Sequence, residues 1–323
     1  MGRFLVTGGA GFIGSNIVDK LLKDGHFVRV LDNFSSGKPE NLGIESIGQR
    51  PSDIDLIVGD IRDKGACEKA CEGIDYVLHQ AALRSVPKSM KDPESYNDVN
   101  INGTLYMLQA ASRAKVKRFV LASSSSVYGD VDKFPEREDF YPKLISPYAL
   151  SKLTNEYYCK IFAQFFGLPG VCLRYFNVYG PKQALDDEYA VVIPKFIHCI
   201  LNDEQPPVFG TGKQSRDFTY IDNVVSANIM AATTDGIEFE VFNVATGRDQ
   251  TVLSLVDVLN KIIGKNIKPK FLDVRPGDVF RTRADISKIK KLLKYRPTVG
   301  FEEGIRRTVE HFRGKDTLRN RPS

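Results

Sequence analysis

The chain is short of the residues that build metal centres and disulfide scaffolds. Its five cysteines, Cys67, Cys71, Cys159, Cys172 and Cys199, are odd in number and lack the paired spacings of a zinc site or a bridged framework. Buried thiols explain them better. The four histidines, His26, His79, His198 and His311, form no ligand pattern, and His79, ending an apolar run, reads as structural, so no metal is expected. No apolar stretch is long enough to span a bilayer. The first one, Phe4 to Val18, is broken by Gly8, Gly9, Gly11 and Gly14, lacks a basic leader and precedes no small-residue cleavage site. Neither a membrane span nor a signal peptide is therefore expected, which points to the cytoplasm. Charge of neither sign dominates: 45 basic against 40 acidic residues leave +5, too balanced to mark a nucleic-acid binder. Repeats and low-complexity segments are missing too, and the basic ending from Arg313 to Ser323 has no apolar periodicity.

What is there is the length and rhythm of a large α/β protein. A chain of 323 residues has room for one large domain or two smaller ones. Arg3 to Thr7, Phe27 to Leu31, Ile54 to Val58, Tyr76 to His79, Phe119 to Ala122 and Val171 to Arg174 read as buried strands. Segments near 12 to 24, 63 to 72, 94 to 114 and 147 to 166 between them carry helical spacing. This alternation predicts a Rossmann-type doubly wound parallel sheet, with ligands beyond the strand C-termini. Past Asn177 the rhythm shortens, with Pro181, Pro194, Pro206 and Pro207 as punctuation, which predicts a smaller C-terminal α/β substrate-binding lobe. Phe218 to Thr233 and Val241 to Ala245 could return to the sheet. The expected division is residues 1–176 with 218–245 for the dinucleotide domain, and 177–217 with 246–323 for the second lobe.

Thr7-Gly8-Gly9-Ala10-Gly11-Phe12-Ile13-Gly14 follows the first strand and opens the first helix. Gly8 suits the tight turn, Gly11 lets a pyrophosphate approach the backbone, and Gly14 allows close helix packing. Asp32 ends the second strand, about 18 residues on, where a carboxylate accepts from the adenosine ribose and repels a 2'-phosphate. NAD is therefore expected rather than NADP. Asn33, Asp60-Ile61 and Gln80-Ala81-Ala82 fall at the same edge of the predicted sheet, as walls for the adenine and pyrophosphate.

Tyr148 and Lys152 stand four residues apart, on one face of a helix, downstream of Ser123-Ser124-Ser125-Ser126. Bringing a phenol from about 10 to about 7 takes roughly 4 kcal/mol. A cation at about 5 Å supplies roughly 3 kcal/mol at an effective dielectric of about 20. With 13 tyrosines in the chain the spacing alone decides nothing.

Four motifs in order give it weight. Gly8-x-x-Gly11-x-x-Gly14, the serine run before Val127-Tyr128-Gly129, Tyr148-x-x-x-Lys152 and Arg174-Tyr175-Phe176-Asn177 together resemble the extended short-chain dehydrogenase/reductase family, in its nucleotide-sugar epimerase and dehydratase branch. The resemblance spans nearly the whole chain. It implies that Tyr148 transfers the proton, that Lys152 binds the nicotinamide ribose and lowers the phenol's pKa, and that Ser124, with Ser125 and Ser126 beside it, hydrogen-bonds the reacting sugar hydroxyl. Phe12, Ile13 and Tyr175, within the motifs, join the implied cofactor contacts. A sugar dehydratase carries an acidic pair directly after the strand-end hydroxyl, where this chain has Ser125 and Ser126. The implied reaction is therefore 4-epimerisation of a UDP-hexose.

By the same resemblance Arg216, Arg275 and Asp278 contact the substrate's pyrophosphate and uridine ribose, with Asn177, Val192, Lys195 and Phe209 as further diphosphate and uracil contacts. Thr282 falls where a small side chain leaves room for an N-acetyl group at C2. The segment Ala82 to Ser89, which includes Ser85, is similar to the subgroup acting on UDP-N-acetylglucosamine, although Arg84 departs from its usual small residue. UDP-N-acetylglucosamine is the favoured substrate, UDP-glucose and UDP-glucuronate stay open, and a non-catalytic NAD-binding regulatory protein is the alternative of another class. The helices near 94 to 114 and 147 to 166 imply a homodimer through a four-helix bundle.

Overall fold

Most of the apolar runs become strands buried on both faces, as a parallel sheet with helices on either side requires, whereas Asp55–Val58, expected to be buried, is a partly exposed edge strand. The computed structural model describes residues 1–46, 53–184, 192–274 and 279–319. Its main sheet has seven strands, β1 (Arg3–Thr7), β2 (Phe27–Asp32), β3 (Asp55–Val58), β4 (Tyr76–His79), β5 (Arg118–Ser124), β6 (Gly170–Tyr175) and β7 (Phe239–Val244). Their order is β7-β6-β5-β4-β1-β2-β3, and every pairing is parallel. Helices α1 (Phe12–Lys23) and α5 (Ile221–Thr233) cover one face, and α2 (Lys64–Cys71), α3 (Gly103–Arg113) and α4 (Pro147–Phe165) the other.

Alternate side chains feed two cores. Phe4 and Val6 of β1 join Ile17, Leu21 and Val224 on one face, whereas Leu5 joins Cys67, Met107 and Phe162 on the other. All five cysteines are buried and unbridged. Because the strands run in one direction, Thr7, Asp32, His79, Ser124 and Tyr175 end them along a single edge.

After β6 the chain builds short pairs: Val178–Tyr179 with Thr219–Tyr220, Pro207–Phe209 with Lys270–Leu272, and Ser215–Arg216 with Gln250–Thr251. Helices Val192–Leu201, Val252–Ile263, Ser287–Leu293 and Phe301–Arg319 pack around them. Phe196, Leu255 and Ile289 share one core with Phe4 and Val6, so this part is anchored on the sheet.

Two segments differ from the sequence reading. Of Phe218 to Thr233, Thr219–Tyr220 pairs with Val178–Tyr179 outside the main sheet and Ile221–Thr233 forms helix α5 packed on α1, because its apolar residues recur at helical spacing; of the two stretches β7 alone rejoins the sheet. The stretch 94 to 114 is helical but not uniform: a wide π-type turn at Asn97–Asn102 precedes α3, placing Asn100 and Thr104 inward against α4.

Candidate active site

A cavity of about 1600 Å³ follows the C-terminal edge of the sheet and continues under the C-terminal elements. At its first end Gly8 adopts a φ of +65°, and a Cβ there would lie 2.8 Å from Ala81 N. A Cβ on Gly14 would meet Gly8 O at 2.1 Å. No side chain fits either position, which leaves the start of α1, preceded by Gly11 without a side-chain cap, open to an anion. Asp32 Oδ2 accepts from Ala10 N–H and Oδ1 from Phe34 N–H, both at 2.8 Å. Burial raises its pKa, against the pull of those two donors. Asn33 Nδ2 donates to Asp60 Oδ2 at 2.8 Å, and the Arg62 guanidinium holds Asp60 down to about 2. Phe12, Ile13, Ile61, Ala81 and Ala82 complete these walls, as does Gln80, which the Tyr175 hydroxyl reaches at 3.2 Å. The glycine cradle, the open helix start and the fixed carboxyl group suit a dinucleotide.

The reaction centre stands midway. Ser146 Oγ accepts from Ala149 N–H at 3.1 Å and Pro147 takes the first position, so α4 starts where Tyr148 falls in its opening turn. Lys152 Nζ, one turn on, donates to Ala122 O at 2.8 Å. The buried pair of Arg174 on β6 and Glu156 on α4 closes at 2.7 Å, and Ser123 Oγ donates to the same carboxylate at 2.5 Å. The helix bearing Tyr148 is thereby tied to β5 and β6. Ser124 Oγ and Ser126 Oγ lie 2.5 Å apart, and with Ser125 they line the cavity beside Tyr148.

Electrostatically the centre departs from the sequence reading. Burial raises the Tyr148 phenol; the Ser124 hydroxyl hydrogen-bonded to it pulls the other way, Tyr96 raises it further, and the Arg84 charge lowers it. Lys152 is not among these influences. Its ammonium sits 5.9 Å from the centre of the Tyr148 ring and is directed at Ala122 O. Burial lowers Lys152 to about 8, partly offset by Glu156, so it keeps its charge at neutral pH. The protein alone therefore leaves the phenol protonated. His79 is structural, as expected: its ring nitrogens meet Thr7 Oγ1 at 2.8 Å and Thr104 Oγ1 at 3.0 Å, and burial lowers it to about 3.

At the far end, Asn177, Val192, Lys195, Phe209, Arg216 and Thr282 line the cavity. Asn177 Nδ2 donates to Thr282 Oγ1 at 3.0 Å, joining β6's continuation to the C-terminal segment. Arg216 Nη1 donates to Ser215 O at 2.9 Å. Arg275 and Asp278 lie outside the described residues. Ser85 lies between the lining residues Arg84 and Val86; its Oγ caps the short helix Val86–Lys91 by accepting from Lys88 N–H at 3.2 Å, and its N–H donates to the Tyr96 hydroxyl at 3.0 Å.

Several residues at the cavity carry no local sequence signal. Lys38 and Asn41 reach the dinucleotide end from a loop folded back on Ala10. Behind the wall, Asn100 holds the lining residue Leu83 at both its N–H (2.8 Å) and its C=O (3.0 Å), in a stretch, Asn97 to Asn102, too polar for one asparagine to stand out. Glu136 was not legible at all, since its burial depends on strands of chain 147 residues away.

Comparisons agree with this geometry. The sequence pattern of the NAD dependent epimerase/dehydratase family matches residues 4–245. A UDP-glucose 4-epimerase of Mycolicibacterium smegmatis is 36% identical over 315 residues, covering 97% of this chain and 99% of that protein. A UDP-N-acetylglucosamine 4-epimerase from Methanobrevibacter ruminantium, solved with UDP-N-acetylmuramic acid, superposes with a TM-score of 0.91 at 41% identity, over 97% of this chain and 99% of that one. A UDP-glucuronic acid 4-epimerase from Bacillus cereus, solved with UDP-glucuronic acid and NAD, gives 0.87 at 35% identity over 97% and 99%.

Proposed function

Because the chain belongs to the NAD dependent epimerase/dehydratase family and is an NAD-using enzyme of the epimerase type, we propose that it inverts C4 of UDP-hexoses and that its main pair is UDP-N-acetylglucosamine and UDP-N-acetylgalactosamine. The observation that carries the choice of sugar is the small Thr282 side chain, held to Asn177 on the cavity wall, which leaves space beside C2 for an acetamido group.

NAD, when bound, supplies the acceptor and later the donor of hydride at the sugar's C4. Gly8, Gly11 and Gly14 hold its pyrophosphate, Asp32 its adenosine ribose and Lys152 its nicotinamide ribose. Tyr148 removes the proton from the sugar 4-hydroxyl and returns it after the 4-keto sugar has presented its other face. Ser124, with Ser125 and Ser126 beside it, hydrogen-bonds that oxygen in both orientations. Burial raises the free phenol, against the Ser124 hydroxyl and the Arg84 charge, and the positive charge of the oxidised cofactor would lower it further. Arg216 and Lys195 serve the diphosphate, and Asn177, Val192 and Phe209 the nucleotide end; Arg275 and Asp278 are assigned to the pyrophosphate and the uridine ribose. Hydroxyls occupy the place of the acidic pair that eliminating water would require.

Arg84 on the cavity wall supports UDP-glucuronate as the second reading, since a guanidinium suits a sugar carboxylate. We assign residues 1–176 with 218–245 to the dinucleotide lobe, and 177–217 with 246–323 to the nucleotide-sugar lobe. We also assign a homodimer, supported by the exposed Leu150, Tyr157, Ile161 and Phe165 on α4. A reducing, cytoplasmic setting suits five buried free thiols.

Purified protein incubated separately with UDP-glucose, UDP-N-acetylglucosamine and UDP-glucuronate, followed by proton NMR, is expected to invert C4, fastest with the N-acetylated sugar. No inversion with any of the three would remove the proposal. Tyr148→Phe should abolish nearly all turnover while keeping the cofactor; full turnover in the variant would remove Tyr148 from the reaction, and a parent that binds NAD without turning over any UDP-sugar would favour a binding module.

A further inference from the structure

Glu136 lies outside every motif discussed so far, yet it lines the cavity while being only 1% exposed. Its backbone is clamped to the C-terminal segment: Glu136 N–H donates to Arg283 O at 2.7 Å, and Glu136 O accepts from Asp285 N–H at 2.8 Å and Asn243 Nδ2 at 2.9 Å. One bond uses the side chain, Arg283 N–H to Oε2 at 2.8 Å. That amide joins Arg283 to Thr282, so the carboxyl is fixed next to the residue assigned to the sugar's C2 side.

A purely structural strap would leave no polar atom over. Asp217, the neighbouring buried carboxyl, spends both oxygens inside the fold, Oδ1 on Thr246 N–H and Oγ1 and Oδ2 on Gly247 N–H and Ala284 N–H. Among the described residues Glu136 engages only Oε2. Burying a carboxyl group with one oxygen unused is costly where an apolar side chain could fill the same space. Glu136 is at the same time a lining residue of the cavity.

We propose that Glu136 is a specificity-determining residue, its Oε1–H donating a hydrogen bond to the acetyl carbonyl of the substrate's C2 substituent. This rests on the reading of the cavity as a UDP-hexose site with C2 beside Thr282. With Oε2 engaged by Arg283 N–H, the proton of the neutral acid belongs on Oε1. Burial and the Asp217 charge push Glu136 up to about 8, against Arg283 N–H, Arg216 and Arg281, so the acid holds that proton at neutral pH. Selectivity follows from reach. The acetyl oxygen ends two bonds farther from C2 than the hydroxyl oxygen of a plain hexose.

The test compares Glu136→Ala and Glu136→Gln as full-length holoenzymes, with kcat/KM measured for UDP-N-acetylglucosamine and for UDP-glucose. Loss of one neutral hydrogen bond should lower kcat/KM for the N-acetylated sugar about tenfold in the alanine variant and leave UDP-glucose within about threefold. The glutamine variant, whose amide both accepts from Arg283 N–H and donates into the cavity, should keep the parental preference. Equal loss on both sugars in Glu136→Ala, accompanied by a lower melting temperature, would mark a strap and overturn the inference. An unchanged preference in Glu136→Ala, or a lost one in Glu136→Gln, would overturn it as well. A parent enzyme that inverts UDP-glucose but never the N-acetylated sugar removes this inference and leaves the epimerase; one that inverts no UDP-sugar removes both.

Discussion

At the scale of single residues, burial decides what each group contributes. Tyr148 and Lys152 are both moved by desolvation, the phenol upward and the ammonium downward to about 8, so at neutral pH Lys152 is charged while the free phenol is held protonated. The small side chain at Thr282 gives a sharper expectation. Thr282→Tyr would place a ring beside C2 and remove the bond from Asn177, so turnover of UDP-N-acetylglucosamine should fall at least tenfold while UDP-glucose is spared; parallel steady-state assays on the two sugars check it, and equal losses would discard the gate. His79 allows a pH prediction. Folded His79 stays neutral down to about 3, whereas the unfolded chain takes up a proton near its ordinary 6.5. The folded form is therefore favoured above 6.5 and loses that advantage as pH falls through the window, by roughly 2 kcal/mol at about pH 5. Asp217, raised to about 6, and Glu136, raised to about 8, act in the opposite sense, losing their contribution as pH rises. They are common to parent and variant. Urea unfolding of His79→Gln across that pH range should show a flatter acid limb than the parent, and identical limbs would contradict the neutral assignment.

Among elements, α4 matters most because it carries Tyr148 and Lys152 on one face. Its start is set locally, by Ser146 and Pro147, and its seat is set by the Glu156–Arg174 pair and by Lys152 on Ala122 O. Removing the Glu156 carboxylate would leave the Arg174 guanidinium buried against the Tyr128 ring, 4.8 Å away, with its main partner gone. Glu156→Ala should cost about 3–5 kcal/mol by denaturant titration, and a loss below about 1 kcal/mol would show that the helix is seated by apolar contacts alone. The glycine fingerprint was readable in the sequence because its demands are local: a positive φ at Gly8 and no room for a Cβ at Gly14. The capping role of Ser85 was less readable for the complementary reason, since a hydroxyl in a loop serves as a ligand or as a helix cap, and here it accepts from Lys88 N–H.

For the molecule as a whole, the exposed apolar stripe of Leu150, Tyr157, Ile161 and Phe165 lies on the side of α4 away from the sheet and asks for a partner. If the proposed homodimer uses this stripe, Ile161→Glu should halve the mass seen by sedimentation velocity while leaving the cavity residues in place; a parent that already sediments as a monomer would overturn the dimer, and an unchanged mass would overturn this contact. The alternation of strands and helices, the dinucleotide fingerprint, Asp32 and the order of the reaction-centre motifs were all determined by the sequence itself, because each depends on neighbours within a few residues or on a fixed periodicity. Only the tertiary structure decided that Lys152 is turned to Ala122 O, that Asn177 reaches Thr282, and that Glu136 is buried beside the amide of Arg283. Desolvation and long-range hydrogen bonds depend on which distant segments meet, and no local pattern records that meeting.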